Sequence, residues 1–544
     1  MSSVLEQQIE KPKLARWRLT RFERLMRHSA LFRWQLRGPL PVWPTSKLVD
    51  PWQGNAMRGS QLVQGGIKQL LTAEAYHDFS WLRDVRDYGG AAGRTLARDH
   101  INLWCQRYNR WDEALYRPDR LGVRLTNLFF TLRWFAESAS DDFQQSLLQS
   151  LSFQAKALAL DWQRLDYVDQ QIPALKGLFI SQVMLRNDEK DLEALLDVTL
   201  AKAKSLLHPD WGHKSRSPEA HLALLRHLIE LKLANNLISI QPANQLDEMI
   251  TSMGNLTKLW RHGNGEFAHF QGGGESTSEQ IDTVLKKCGP KGKITPQAPH
   301  TGYLRLSAAR NTLIMDAGSP SPRAKHACAS TLAFEFSVAN TRFIVGTGQH
   351  SADDRLASAL AKTSAHSTLT LDGLDSSQLP LQQPGTTTIS NQRIASIFDV
   401  EAGPADGGML VVGSHDGYRQ SHGILHHRQI YLTNDGHNLR GSDRLEYTGD
   451  PGEIPGFAIV RFHLHPRVSA AILQDMRILL KLPGHKAGWI FKSSGGTAQL
   501  EQSVYFDGAR RSSCQQIVLS VPVSQIRTIG EVEARWAFIR SKAG

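Results

Sequence analysis

Cysteine is scarce: Cys105, Cys288, Cys328 and Cys514 are the only four in 544 residues, widely spaced and with no CxxC pair. That spacing excludes a disulfide framework and a cysteine-built zinc cage, and a reducing cytoplasm is the simplest compartment. No apolar run approaches the eighteen residues that a membrane-spanning helix needs. Met1–Glu10 has no hydrophobic core region ahead of a small-residue cleavage site, so no secretory signal is expected. Also missing are a Gly-rich phosphate loop, a GxSxG elbow, an HExxH pair and any nucleic-acid-binding motif. Nucleic acid is therefore not an expected partner.

What is present is an ordinary globular composition, 41% hydrophobic and 21% charged, in a chain long enough for two to four domains. The net charge of +11 is uneven: residues 1–60 carry eleven Lys/Arg against four Asp/Glu, 11 − 4 = +7. Basic charge calls for an anionic partner such as a membrane surface or an acidic polysaccharide, and it also serves plain solubility. Residues 14–36 place Leu19, Phe22, Leu25, Met26 and Phe32 at roughly helical spacing, with Arg16, Arg18, Arg21, Arg24, Arg27 and Arg33 between them. A basic amphipathic helix of this kind can lie on an anionic membrane. Packing of its apolar stripe on the rest of the protein is the commoner outcome.

From Phe79 to Trp260 helical patterns succeed one another: Arg94–Tyr108, Leu121–Ser138, Asp142–Leu165, Pro173–Leu185, Leu192–Leu207, Pro218–Leu237 and Leu246–Trp260. Their short polar breaks predict helical hairpins wound into a solenoid or toroid. Beyond Thr301 period-2 runs take over, among them Tyr303–Ser307, Leu332–Phe336, Phe343–Val345, Thr368–Leu371 and Ala458–His463, which predicts a large β-sandwich. The expected domains are a basic lead-in (1–60), a helical domain (61–262), a Gly-rich connector (263–300) and a sandwich (301–544).

Three stretches carry chemistry: Trp211-Gly212-His213-Lys214-Ser215-Arg216-Ser217-Pro218-Glu219-Ala220-His221, His326–Glu335, and Ser364–Gly373 with His366. In this order, after a helical half, they resemble the heparinase II/III-like family, over about Phe79 to Arg540. The resemblance implies an N-terminal α/α toroid followed by a C-terminal antiparallel β-sandwich. It also implies polysaccharide lyase chemistry, the β-eliminative cleavage of uronic-acid polymers, with an acidic polysaccharide as partner. Such a reaction must neutralise the uronate carboxylate, remove the C5 proton and protonate the leaving O4. The family usually acts outside the cytoplasm, so a cell-envelope or periplasmic location stands beside the cytoplasmic one.

Against the family pattern GGHFERSPxYH this chain has Ala220 where the tyrosine acid/base stands and Ser215 where the glutamate stands. An alanine cannot transfer a proton. His213, Arg216 and His221 are retained, with Arg216 suited to a bidentate grip on a uronate and Ser217 suited to cap the helix opened by Pro218. In metal-binding relatives an HxHxD run and an aspartate near Gly346 complete a site; here only His326 and His366 survive, and no cofactor or metal is expected. Ser414-His415-Asp416-Gly417-Tyr418 predicts a tight turn displaying His415 and Tyr418, with Tyr418 as the replacement acid/base. His213, Arg216, His221, His326, His366 and Tyr418 are thus the candidate catalytic residues, and His415 and Lys362 the candidate substrate-binding ones. The alternative reading is a catalytically degenerate glycan-binding or envelope-biogenesis accessory that kept the fold.

Overall fold

The computed structural model describes residues 17, 19–36, 38–39, 41–67, 71–108, 110–185, 189–289, 292–321, 324, 326–348, 354–379, 393–449, 452–508 and 510–541. The chain divides into two compact units, Met1–Leu206 with Arg226–Ile250, and Leu207–Leu225 with Thr251–Gly544. The expected boundary after residue 262 is therefore not the observed one. The Leu207–Leu225 segment belongs with the strands because Arg216 is tied by hydrogen bonds to the backbone of Thr301, Gly302, Gly318 and Ser319.

The first unit is helical. Helices Gly90–Arg107, Pro118–Ala136, Asp141–Asp161, Val168–Leu185 and Glu189–Ser205 fall close to the periodic stretches. Pro118–Ala136 and Val168–Leu185 are buried on nearly every side, as the inner layer of a two-layer helical array requires. They meet at Gly122 and Gly177, where backbone touches backbone. A Cβ on Gly122 would lie 2.2 Å from the Pro173 carbonyl oxygen, and one on Gly177 would lie 2.4 Å from the Gly122 Cα.

The basic lead-in is not one helix. Residues 14–16 and Arg18 lie outside the described residues, and the rest forms α1 (Arg21–His28) and α2 (Ala30–Leu36). Thr20 and Glu23 close a capping box on α1. Ser29 turns extended and its hydroxyl accepts the Phe32 N–H at 3.1 Å, starting α2. The polar face, not the apolar one, turns inward: Arg27 is buried against Asp161, and Arg24 pairs with Glu113 at 2.9 Å. Phe22, Leu25, Leu31 and Trp34 stand 68%, 70%, 58% and 70% exposed. Packing of the whole stripe on the body is thus overturned; of this stretch Trp17, Leu19, Phe32 and Leu36 bury. Among the described residues no helix is long and apolar enough to cross a membrane.

The second unit carries an antiparallel sandwich. One sheet runs β1 (Gln297–Ala298), β2 (Tyr303–Ala308), β3 (Asn311–Asp316), β4 (Phe334–Val338), β5 (Thr341–Val345), β11 (Phe457–Leu464), β16 (Arg510–Pro522) and β15 (Thr497–Asp507), with β6 (Leu369–Leu371) pairing β11. The other runs β12 (Ser469–Ile472), β13 (Ile478–Lys481), β14 (Trp489–Ser494), β17 (Glu531–Arg540), β10 (Asn438–Tyr447), β9 (Ile424–Thr433), β8 (Gly408–Tyr418) and β7 (Ile397–Ala405). Both inner faces are aromatic. Phe334 of β4 (Phe334–Val338) stacks on Trp536 of β17 (Glu531–Arg540) with centroids 5.5 Å apart, and Phe462 meets Trp536 and Phe538 edge-on. The supposed connector holds a helix, Ser278–Leu285, capped by Thr277 and Gln280.

The tight turn expected at Ser414–Tyr418 is absent. Those residues are the end of β8 (Gly408–Tyr418), paired to both β7 (Ile397–Ala405) and β9 (Ile424–Thr433), with a register shift after His415. The Asp416 N–H donates to the Ser396 carbonyl and its carboxylate accepts the Ser396 N–H, and pairing resumes past the Asp-Gly at Tyr418 opposite Ile424. An irregularity in the ladder absorbs the glycine that a hairpin would have used.

Candidate functional site

The motif loop opens the helix Pro218–Asn235 as the sequence predicts. The Ser217 hydroxyl accepts the Ala220 N–H at 3.3 Å. Glu219, in the first turn, receives the backbone N–H groups of Gly274, Glu275 and Ser276, pinning the Gly-rich loop. Arg216, at a φ of 64°, turns its guanidinium into the protein. Nε donates to the Thr301 carbonyl at 2.8 Å, the two terminal nitrogens donate to the Gly302, Gly318 and Ser319 carbonyls, and one also meets Asp316. The plane rests over the Tyr303 ring. Every arm of this guanidinium is engaged, so the two-toothed grip on a uronate expected of it is already taken by Asp316 and backbone.

His213 is buried. Its Nδ1 accepts the Ser215 N–H at 3.1 Å and lies 2.7 Å from the Ser215 hydroxyl, which places the ring proton on Nε2. His221 is buried and points Nε2 at the Met253 carbonyl (3.0 Å) and Thr257 hydroxyl (3.1 Å), so its proton is also on Nε2. Burial pushes its pKa down to about 3. It is a neutral ring wedged beside Trp260, with Nδ1 buried and unpartnered.

In the sandwich half two buried carboxylates organise the backbone. Asp316 receives Arg216, Gln271 at 3.1 Å and Ser330 at 2.6 Å. Glu335 receives His262 at 3.1 Å, Arg342, and the N–H groups of His269 (3.0 Å) and Gly346 (2.9 Å). Burial works against its charge, but Arg342 and the His262 hydrogen bond hold the carboxyl well below the ordinary range. His366 lies beside them, buried, with the Leu360 backbone as its hydrogen-bond partner and its pKa pushed by burial down to about 4. A Cβ on Gly346 would stand 3.3 Å from His366 Nδ1 and 3.4 Å from Glu335. The glycine thus occupies the place where a ligand side chain would have to begin. His326 is half-buried and its carbonyl faces the Cys328 thiol. Among the described residues no group of three or more His, Cys, Asp or Glu is placed to hold a metal ion.

Tyr418 and His415 are core residues, not a displayed pair. The Tyr418 hydroxyl donates to the Leu369 carbonyl at 2.7 Å, and burial raises its pKa far from any useful base. His415 Nδ1 accepts the Gly417 N–H, its Nε2 lies 3.0 Å from His426 Nδ1, and His426 Nε2 lies 2.7 Å from Asp443. Arg428 and Trp536 complete the cage around Asp443. Sequence reading missed this network, as it missed Asp316 and Glu335. The alternation of His426 and Arg428 on β9 was its one visible sign. Lys362 is exposed, on a loop.

A solvent-facing concavity of about 600 Å³ remains in this unit, lined by His208, Lys214, Gln297, His300, Ser319 and Phe398 among others. It offers cations, an amide and an aromatic face, which bind; Arg216 and Tyr303 also line it, but the Tyr303 hydroxyl donates to the Arg216 carbonyl at 2.8 Å and the Arg216 guanidinium is engaged by Asp316 and backbone.

Comparison with known proteins agrees with this architecture. Residues 290–536 match the family described as Heparinase II/III-like, C-terminal. FtsZ-localized protein C of Caulobacter vibrioides (strain NA1000 / CB15N) is 28% identical over 521 residues, 91% of this chain and 89% of that protein. A solved structure of heparinase III superposes with a TM-score of 0.68 at 12% identity, covering 95% of this chain and 89% of that one. A mutant of the heparan sulfate lyase HepC from Pedobacter heparinus gives 0.65 at 13%, covering 94% and 88%.

Proposed function

Since residues 290–536 are a heparinase II/III-like C-terminal domain, on a chain with the fold of heparinase III, we propose that the chain is a non-enzymatic accessory of the cell envelope and not a polysaccharide lyase. The observation that carries this reading is the state of the motif helix. Ala220 supplies no proton-transfer group, and its neighbours Arg216 and His221 spend their polar atoms inside the protein. β-Elimination needs a base and a carboxylate neutraliser meeting at one substrate carbon.

The relative is named for localisation with FtsZ, and we extend that co-localisation with FtsZ to this chain. The compartment proposed is the cytoplasm, with contact to an anionic membrane through α1 and α2. Support for that contact is the outward set Phe22, Leu25, Leu31 and Trp34 beside the exposed Arg21.

The test is direct. Purified protein is incubated with heparan sulfate, chondroitin sulfate, alginate and polygalacturonate while absorbance of the unsaturated uronate is followed; no product is expected. Turnover that disappears in His213→Ala would overturn the reading. A fluorescent fusion should co-localise with FtsZ, and fluorescence that does not follow FtsZ would remove the localisation.

A further inference from the structure

The first unit contains a second cavity, of about 430 Å³, lined by Arg33 and Leu36 of α2, Gly38, Pro39 and Pro41, Cys105 and Arg110, and Ser146, Ser150, Ser152 and Phe153 among others. Its chemistry is one-sided. Arg33 and Arg110 are in the lining, and no acidic side chain is. Lys156 reaches the same wall: a Cβ on Gly38 would fall 2.2 Å from its Nζ. None of the three cations pairs with a carboxylate among the described residues. Arg33 Nε is buried and makes no hydrogen bond. Buried guanidinium nitrogens are costly when unpaired, so a donor left open in a polar cavity is a place for an anionic acceptor. Hydroxyl and amide donors from Ser146, Ser150, Gln149 and Asn102 surround it.

The cavity lies across α2 from the exposed apolar residues. On α2, Leu31 and Trp34 share one face and Arg33 and Leu36 the opposite one. The first pair stands in solvent and the second lines the cavity. Leu36, Pro39, Pro41 and Phe153 give the lining an apolar half. A ligand with a phosphodiester and a hydrocarbon tail satisfies both halves, whereas a sugar polymer leaves the apolar half unmet. We propose that this cavity binds the phosphate headgroup of an anionic phospholipid, with Leu36, Pro39, Pro41 and Phe153 against the first part of its acyl chains. The proposal rests on the membrane contact above and adds to it a specific headgroup site.

The full-length protein is titrated with phosphatidylcholine vesicles and with vesicles containing phosphatidylglycerol. Three variants accompany it: Arg33→Gln/Arg110→Gln, Ser152→Trp, which fills the cavity without changing charge, and the charge-matched control Arg310→Gln/Arg467→Gln. The first should bind phosphatidylglycerol vesicles roughly 30-fold more weakly, Ser152→Trp should weaken binding in the same direction, and the control should not. If both cavity variants match the control while the parent protein still binds, the headgroup site is overturned and membrane contact stands. If the parent binds no vesicle, both fall. Glycerol 3-phosphate that displaces the protein from vesicles at equal efficiency in every variant would place phosphate recognition elsewhere. Displacement by a heparan oligosaccharide that is lost in Arg33→Gln/Arg110→Gln would assign the cavity to a glycan and overturn the lipid.

Discussion

The Nε2 of His415 lies 3.0 Å from the Nδ1 of His426. The backbone N–H of Gly417 occupies His415 Nδ1, and Asp443 occupies His426 Nε2. Only one proton arrangement satisfies all three contacts: His415 protonated on Nε2 and donating to His426, and His426 protonated on Nε2 and donating to Asp443. Both rings are neutral, and the chain ends on the one buried carboxylate that Arg428 and Trp536 also grip. Such a network selects one register for β8 against β9, because a shift of one residue would put the two histidines on opposite faces of the sheet.

Neutral buried histidines make stability depend on pH. Burial lowers His221, His269 and His463 to about 3, and His262, His366 and His465 to about 4, from an ordinary 6.5. The folded pKa values lie below the unfolded one, so the unfolded chain binds more protons between them. The contribution is complete above about pH 6.5 and is lost as pH falls toward 4, at up to about 1.4 kcal/mol per pH unit per histidine. Asp78, raised by burial to about 6, works in the opposite direction, as do Asp84, Asp119 and Asp375, also raised by burial; they are fewer than the lowered histidines. Thermal melts from pH 7.5 to pH 5 should show a falling Tm; a flat or rising Tm would contradict the burial of these rings.

Tyr418→Phe should behave as a core mutation. Deleting the hydroxyl leaves the buried Leu369 carbonyl without its 2.7 Å donor, a cost of about 1–3 kcal/mol. The urea midpoint should drop accordingly. An unchanged midpoint would mean that the hydroxyl is not held as described.

Arg216→Ala should be among the most damaging single changes in the motif. It strands the buried Asp316 charge and several carbonyls, and removal of one partner of such a pair costs about 3–5 kcal/mol. His213→Ala, which removes an acceptor for Ser215, should cost less. Denaturation followed by tryptophan fluorescence ranks the two, and the reverse order would contradict the inward role of Arg216.

Gly122→Ala tests the helix contact in the first unit. Its methyl would overlap the Pro173 carbonyl oxygen, so the two helices must separate, at about 1–3 kcal/mol. Gly403→Ala, with no atom within 4 Å, is the matched control and should leave the midpoint nearly unchanged.

Much of the architecture was legible in sequence. Helical periodicity located Pro118–Ala136 and Asp141–Asp161 within a few residues, because period 3.6 depends on the neighbouring residues alone. The Ser217 cap was legible for the same reason. The candidate site was less so. His213, Arg216 and His221 do sit on the predicted loop and helix, but the side of the loop that each side chain faces depends on Thr301, Asp316 and Met253, distant in sequence.

By itself the sequence determined the order of helices and strands, the cap that begins the motif helix, and the loss of a proton-transfer group at position 220. Tertiary structure alone decided that Arg216 clamps Asp316, that His415 and Tyr418 lie in the core, and that Phe22 and Trp34 face outward while Arg27 is buried. Periodicity says which residues share a face. What covers that face is set by chain segments dozens to hundreds of residues away, whose approach no local pattern encodes.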